Sequence, residues 1–188
     1  MFNRDLKEQI KELQYKNKRL LRQLIDVKAT TINMADFPLT HISAFSFGNA
    51  GDNILVHAIR DSLNRHLKNK PNFIDRHVHD EVTREDIYLI NQTKALLIGG
   101  GGLFLKDTNE NEISGWQLPI SPEAIKQIQS PIFMLAVGYN RFRNQEDFAP
   151  WFRVNINTLV EKAQFIGIRN NGSIRALQNY LRDDLKDK

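Results

Sequence analysis

The sequence predicts an α/β fold in which a Rossmann-like parallel sheet is flanked by helices. Short apolar runs alternate with segments of helical spacing between residues 41 and 182, an alternation that is typical of βα units. The apolar runs are continuous rather than alternately polar, as expected for strands covered on both faces. A chain of 188 residues with 41% hydrophobic composition is long enough to bury one such core.

The elements of this domain follow one another in a regular order. Strands are predicted for five apolar runs: residues 41–47, 72–78, 95–98, 132–137 and 165–168. Helices are predicted between them, over residues 55–67, 83–92, a segment starting at 121, 146–162 and 173–181. Two helix starts carry specific signals, because Thr83 begins a capping-box pattern and Ser121 precedes a proline.

Residues 1–28 predict a separate amino-terminal helix. Between residues 5 and 28, apolar side chains recur in steps of four and three around one central asparagine: Leu6, Ile10, Leu13, Asn17, Leu20, Leu24 and Val27. This heptad pattern predicts either a short coiled coil that forms a homodimer or a single amphipathic helix that lies on the domain. Residues 29–40 are interpreted as a linker, and residues 183–188 as a frayed, charged tail.

Charge and composition exclude several classes of function. The formal net charge of +4 resides entirely in residues 1–28, so the main body has no basic field suited to nucleic acid. The absence of cysteine excludes a disulfide scaffold, a thiolate zinc site and a cysteine nucleophile. The sequence has no apolar run long enough for a transmembrane segment and no secretory signal pattern, and we expect a cytoplasmic protein.

The first candidate site is the turn that follows the first predicted strand. Its sequence is Gly48-Asn49-Ala50-Gly51-Asp52-Asn53, and its glycines allow the backbone to approach a ligand closely. The helix that follows would direct free amides at an anion. Three roles remain open for Asp52, which are a helix cap, a hydrogen-bond acceptor for a sugar hydroxyl and a general base.

A run of four glycines, residues 99–102, is the second candidate site. It directly follows the predicted strand 95–98 and is interpreted as a turn. Four glycines carry a large cost in backbone entropy, which indicates that a ligand or a neighbouring chain segment approaches them closely. Gly100, Gly101 and Gly102 are therefore candidate ligand-binding residues.

Arginines follow the last two predicted strands. Arg141 comes after the strand that ends near residue 137, and Arg169 lies at the end of the strand 165–168. Guanidinium groups at these positions are suited to a carboxylate or a phosphate. A solvated surface loop remains the alternative for Arg141, and an internal ion pair, for example with Asp52, the alternative for Arg169.

Taken in this order, these segments resemble the polysaccharide pyruvyl transferase family. The resemblance rests on Gly-Asn-x-Gly-Asp at 48–52, Leu-Ile-Gly-Gly-Gly-Gly-Leu-Phe at 97–104 and Gly-Ile-Arg-Asn-x-Gly-Ser at 167–173. It implies one half of a GT-B-like architecture with two facing Rossmann-like lobes. It also implies transfer of a pyruvyl group from phosphoenolpyruvate to a sugar of a cell-surface glycan, as in exopolysaccharide biosynthesis, with no additional cofactor.

The resemblance corresponds to the amino-terminal half of the family. Asp52, Asn49 and the glycine run would then form one wall of a cleft between two lobes. The family's donor-binding arginine and histidine residues would belong to the other half. We therefore expect the 188-residue chain to be inactive alone.

Other functions compete with this interpretation. Asp75 stands where the ribose-binding acid of a dinucleotide site would lie, although the first turn lacks the G-x-G-x-x-G pattern. A nucleotide-sugar glycosyltransferase half and a non-catalytic assembly protein tethered by the heptad helix are further alternatives. His77 and His79 form an incomplete metal pattern, so no metal site is expected. His41, Trp116 and Trp151 are interpreted as structural or surface residues.

Overall fold

The computed structural model describes residues 37–45, 50–106, 109–142 and 144–188. They form a five-stranded sheet in the order β2-β1-β3-β4-β5, in which every neighbouring pair of strands is parallel. The strands are β1 Phe37–Ser43, β2 Pro71–His77, β3 Ala95–Phe104, β4 Ile132–Tyr139 and β5 Phe165–Ile168. The predicted α/β, Rossmann-like parallel sheet is therefore confirmed.

Helices connect these strands. They are α1 Ala50–His66, α2 Arg84–Asn91, α3 Pro122–Gln127, α4 Pro150–Lys162 and α5 Asn171–Gln178. The capping box at Thr83 is confirmed, because its side chain accepts from the Asp86 amide while the Asp86 carboxylate accepts from the Thr83 amide. Ser121 caps α3, with Pro122 in the first turn as predicted.

Two boundaries of the first βα unit differ from the sequence prediction. β1 begins at Phe37, so the last four residues of the expected linker 29–40 belong to the strand. Pro38 is tolerated at the second position of the strand, where its carbonyl accepts from the Lys94 amide at 2.8 Å. α1 begins at Ala50 rather than at residue 55, so Gly51, Asp52 and Asn53 lie in its first turn.

The glycine run is part of a strand rather than a turn. β3 continues through all four glycines to Phe104 and lies at the centre of the sheet between β1 and β4. Neighbouring strands supply hydrogen-bond partners there, which compensates for the poor intrinsic strand preference of glycine.

The carboxy-terminal residues are packed rather than frayed. A short 3₁₀ helix spans Asp183–Leu185, and Leu185 is buried within the hydrophobic core cluster. The Lys188 ammonium donates to the Glu161 carbonyl at 2.6 Å. The expectation of a frayed tail over 183–188 was wrong because it considered only the charges and overlooked Leu185.

Residues 1–36 lie outside the described residues, so the heptad helix, its homodimer and most of the linker remain predictions. Residues 37–188 form one compact unit with its own core. No helix among the described residues is both long and apolar enough to span a membrane.

Candidate functional site

The strand order places a topological switch point between β1 and β3. From β1 the chain first adds β2 on one side, and it then returns past β1 to add β3, β4 and β5 on the other side. Open α/β sheets bind ligands outside the carboxyl ends of the strands at such a point. The start of α1, with Gly51 and Asp52, and the end of β3 both lie at this edge.

A buried histidine holds β1 against the glycine run. The His41 side chain is inaccessible to solvent, and its Nε2 lies 2.5 Å from the Gly99 carbonyl oxygen. Because a carbonyl only accepts, Nε2 carries the proton and Nδ1 accepts from Nε of Arg60 at 3.2 Å. The network therefore fixes one neutral tautomer of His41.

The environment of His41 opposes its protonation. Burial lowers its pKa from the ordinary value of 6.5 to about 4, and the Arg60 charge acts in the same direction. The hydrogen bond to Gly99 acts in the opposite direction but is the weaker influence. His41 therefore stays neutral at physiological pH, which suits a fixed structural support better than a proton-transfer group.

Arg60 extends this support to the neighbouring strand. Its guanidinium forms an ion pair with Asp75 on β2, and it lies 4.7 Å from the ring centroid of Phe73 and 5.2 Å from that of Phe45. Asp75, the candidate ribose-binding acid of a dinucleotide site, thus has a role within the fold.

The first two glycines of the run serve packing. A methyl group at Gly99 would lie 1.9 Å from the Leu135 carbonyl oxygen, and one at Gly100 would meet Leu55 and Ile59 of α1 at 3.1 and 3.2 Å. Ser43 also donates to the Gly100 carbonyl at 3.2 Å. Gly100, a predicted ligand-binding residue, therefore faces α1.

The next two glycines lie against polar side chains of the chain itself. Gly101 has a φ of +116°, and a methyl group there would lie 2.9 Å from Oδ1 of Asp52. A methyl group at Gly102 would lie 1.9 Å from Nδ2 of Asn140. The absence of side chains on β3 thus gives space to a carboxylate from α1 and an amide from the end of β4.

The same arrangement recurs at the next strand. The guanidinium of Arg169 lies 2.7 to 2.9 Å from where a methyl group on Gly138 would be, and it donates to Oδ1 of Asn140 at 3.4 Å. Ser173 of α5 accepts from the Tyr139 amide at 3.1 Å and ties the end of β4 to that helix. We call Asp52, Gly101, Gly102, Asn140 and Arg169 the polar rim.

Two irregularities of strand pairing accompany the polar rim. The β3–β4 register shifts between Gly101 and Phe104, and the β4–β5 register shifts between Leu135 and Val137. Such bulges redirect side chains locally and are frequent beside functional sites. Here they accompany the strand ends from which Asn140 and Arg169 project.

The structure brings some predicted site residues together and separates others. Asp52, Gly101, Gly102 and Arg169 meet along the polar rim, whereas Gly48 and Asn49 lie outside the described residues. Gly51 and Asn53 belong to the first turn of α1 beside Asp52. Sequence reasoning missed Asn140, which lies three residues beyond the predicted strand 132–137 but directly follows the observed β4, and it assigned His41 no specific role.

Arg141 points to its own loop. Its Nε donates to the Gln145 carbonyl at 3.1 Å, and its guanidinium lies 3.7 Å from the Asp147 carboxylate. The Tyr180 hydroxyl also donates to Asp147 and lowers the pKa of that carboxyl. Burial, followed by this hydrogen bond, raises the pKa of Tyr180. A role for Arg141 in ligand binding stays a prediction.

His77 and His79 interact with each other and with a neighbouring loop. The His79 amide donates to Nδ1 of His77 at 3.2 Å, and Nε2 of His79 lies 3.1 Å from Oε1 of Gln117. Within the part of the chain that the structure describes, no three His, Asp or Glu side chains are grouped to hold a metal ion.

Comparison with known proteins identifies a family for this chain. The sequence model of the polysaccharide pyruvyl transferase family matches residues 49–186 of the 188-residue chain. The chain belongs to the polysaccharide pyruvyl transferase family. Neither the curated proteins nor the solved structures include a significant match to it.

The family match includes the whole polar rim. It extends from Asn49, just before α1, to the carboxy-terminal 3₁₀ helix. Residues 5–28, which carry the heptad pattern, lie outside it. The pyruvyl transferase relationship therefore concerns the sheet domain from α1 onward, including the polar rim.

Proposed function

We propose that this chain supplies one wall of a site that transfers a pyruvyl group from phosphoenolpyruvate to a sugar of a glycan. One observation carries the proposal most directly. In this family member the Asp52 carboxylate and the Asn140 amide lie against two adjacent glycines of β3, and the Arg169 guanidinium donates to that amide. Carboxylates assist hydroxyl groups in proton transfer, and guanidinium groups bind carboxylates and phosphates.

The proposed reaction balances without a redox cofactor. A proton adds to the methylene carbon of phosphoenolpyruvate, and the electron-poor centre at C2 is attacked by two hydroxyl oxygens of one sugar. The C2–O bond to phosphate breaks, so two C–O bonds replace one C–O bond and one C=C π bond. The two hydroxyl groups release two protons, of which one balances the new C–H bond and the other leaves with phosphate. The product is a pyruvate ketal.

The polar rim offers a role for each of its side chains in this reaction. We assign Asp52 as the base that receives a hydroxyl proton, because its carboxylate lies against the unobstructed backbone of Gly101. Arg169 is assigned to the donor's negative charge, which grows on the departing phosphate. We assign the side-chain N–H groups of Asn140 to hydrogen bonds with the ligand, while its Oδ1 accepts from Arg169.

Charge balance indicates that this wall needs a second one. Phosphoenolpyruvate carries a carboxylate and a phosphate, whereas Arg169 is the cation that the described part of the polar rim supplies. A GT-B-like partner lobe would close over the edge and add further cations. We therefore expect the 188-residue chain alone to give no turnover.

Calorimetric titration with phosphoenolpyruvate tests the proposal. We expect millimolar binding that is tighter than the binding of inorganic phosphate, because the carboxylate adds a second charged contact. Tighter binding of UDP-glucose than of phosphoenolpyruvate would favour the nucleotide-sugar glycosyltransferase alternative. Binding of neither would favour the non-catalytic assembly protein.

An assay of the chain with phosphoenolpyruvate and glycan acceptors tests whether the site needs a second wall. The expected result is no ketal product by mass spectrometry and no phosphate release above the level without protein. Sustained release of phosphate, matched by pyruvylated glycan, would show that the chain already contains a complete site.

A further inference from the structure

A cavity lies near Asn140 of the polar rim, because the Asn140 amide donates at 2.9 Å to the carbonyl of Phe104, two residues before Lys106 of the cavity. Its volume is about 310 Å³, and it is lined by Lys106, by residues of the segment 109–115 and by the start of α4, namely Glu110, Asn111, Glu112, Gly115, Ala149 and Trp151. β3 ends at Phe104, so Lys106 places the cavity at the carboxyl edge of the same central strand. Its size is in the range of sites that hold small organic ligands.

One wall of this cavity is an exposed tryptophan. Trp151 is 41% exposed, whereas Trp116, the other tryptophan, is fully buried and donates its indole N–H to Asn155 at 2.8 Å. A methyl group at Gly115 would lie 3.2 Å from Nε1 of Trp151, so the glycine lets the indole lie close to the backbone. The exposed face of this indole offers apolar area on which the ring of a ligand can stack.

Side-chain hydrogen bonds tie together residues 109–117, which supply the opposite wall. Asn111 donates to the Trp116 carbonyl at 2.6 Å, and its Oδ1 accepts from the Ser114 amide at 2.8 Å. Asn109 donates to the Gln117 carbonyl at 2.8 Å. These bonds hold the cavity in shape before any ligand binds, which lowers the entropy cost of binding.

The charges of the cavity select against an anion. Glu110 and Glu112 line it and are exposed, and neither has an ion-pair partner among the described residues. The ammonium of Lys106 is already paired with the Glu146 carboxylate at 3.0 Å. Phosphoenolpyruvate would be repelled here, whereas a neutral ligand rich in hydroxyl groups could donate to the two carboxylates.

We propose that this cavity binds a neutral pyranose ring of the glycan acceptor. The apolar C–H face of the ring stacks on Trp151, and its hydroxyl groups donate to Glu110 and Glu112. The inference rests on the proposed function, because a sugar held here would stand beside the polar rim. It adds the acceptor's position and its neutral character to that function.

The two tryptophans supply both the probe and its internal control. Chain labelled with ¹⁵N is titrated with the methyl glycosides of galactose, glucose and mannose, and the two indole N–H resonances are followed. We expect at least one glycoside to shift the Trp151 resonance in a saturable manner while the Trp116 resonance stays in place. Equal shifts of both resonances, or no saturable shift with any of the three, would overturn the proposal.

Two variants separate stacking from general effects. Trp151→Ala should weaken glycoside binding, followed by ligand-detected NMR, about tenfold. Tyr88→Ala is the matched control, because Tyr88 is an equally prominent aromatic residue, 67% exposed on α2, that does not line the cavity. Unchanged binding in Trp151→Ala, or equal losses in both variants, would contradict the stacking role.

Different results distinguish failure of the sugar subsite from failure of the proposed pyruvyl transfer. Phosphoenolpyruvate binding without glycoside binding would overturn the sugar subsite and leave the donor role of the polar rim intact. Glycoside binding at Trp151 without any phosphoenolpyruvate binding would support the subsite and contradict the proposed transfer.

Discussion

The two ends of the carboxyl edge are built in opposite ways. At the β1–β3 junction, His41 is fully buried and both its ring nitrogens have partners within the fold. At the β4–β5 end, Arg169 is exposed and has a weak 3.4 Å hydrogen bond to Asn140. One end uses its polar groups to fix the backbone, and the other presents them to solvent.

A similar difference is found among the four glycines of β3. Gly99 and Gly100 are covered by packing and by hydrogen bonds from β1, so their backbone is held in place. Gly101 and Gly102 give space to the Asp52 and Asn140 side chains. A binding site needs both properties, because polar side chains bind a ligand well only when the backbone that carries them is held in place.

The largest expected effect comes from removing the His41 side chain, which holds the backbone at the β1–β3 junction. His41→Leu leaves the Gly99 carbonyl and the Arg60 guanidinium without a buried partner, and we expect a loss of about 3–5 kcal/mol in the free energy of unfolding. Urea denaturation measures the loss. His57→Leu, at an exposed position on α1, is the control and should change the free energy by less than about 0.5 kcal/mol. A loss at His41 as small as that at His57 would contradict the difference between the two ends.

Acid should destabilise the same junction. The unfolded chain protonates His41 near pH 6.5 and the folded chain only near pH 4, so the unfolded state binds more protons between these values. His41 should therefore contribute a loss of about 3 kcal/mol as the pH falls from 6.5 to 4. The contribution is read as the difference between the pH profiles of the original chain and of His41→Gln. Parallel profiles would show that His41 titrates normally.

A smaller effect is expected where β3 gives space to Asn140. Gly102→Ala places a methyl group against the Asn140 amide and should cost about 1–3 kcal/mol of stability. The double variant Gly102→Ala/Asn140→Ala removes the obstructing amide and should recover most of that loss. Thermal or urea unfolding of the set provides the measurement. No recovery in the double variant would mean that Asn140 does not account for the glycine.

The smallest effect on stability is expected at the exposed β4–β5 end, where a substitution should instead weaken ligand binding selectively. Arg169→Gln should weaken phosphoenolpyruvate binding about tenfold while changing the free energy of unfolding by less than about 0.5 kcal/mol. Arg175→Gln, a neighbouring exposed arginine on α5, is the matched control. Equal weakening in both variants would indicate a diffuse charge effect instead of a specific contact.

Much of the fold could be predicted because its signals are local. Thr83 and Ser121 cap helices through bonds to amides three residues away, and such patterns are visible in a single stretch of sequence. The boundary errors have the opposite origin. Residues 99–102 are predicted as a turn because glycine disfavours strands, whereas pairing with β4 at Gly99 and Gly101 keeps them in β3.

The site could be predicted in part for the same reason. Asp52 and Arg169 stood next to recognisable glycine motifs, and the shared edge of parallel strands brought them to one rim. The role of His41 depends on Arg60 and Gly99, which lie 19 and 58 residues away along the chain. No spacing in the sequence connects these three residues, so only the structure shows how they hold the backbone in place.

We infer that the polar rim is one ligand site, a claim that residue-level mapping of phosphoenolpyruvate binding can test. Backbone amide resonances of ¹⁵N-labelled chain should shift at Asp52, Gly101, Gly102, Asn140 and Arg169 with one common dissociation constant. Those of the carboxy-terminal 3₁₀ helix should stay in place. Shifts confined to other regions, or different dissociation constants for Asp52 and Arg169, would contradict the claim.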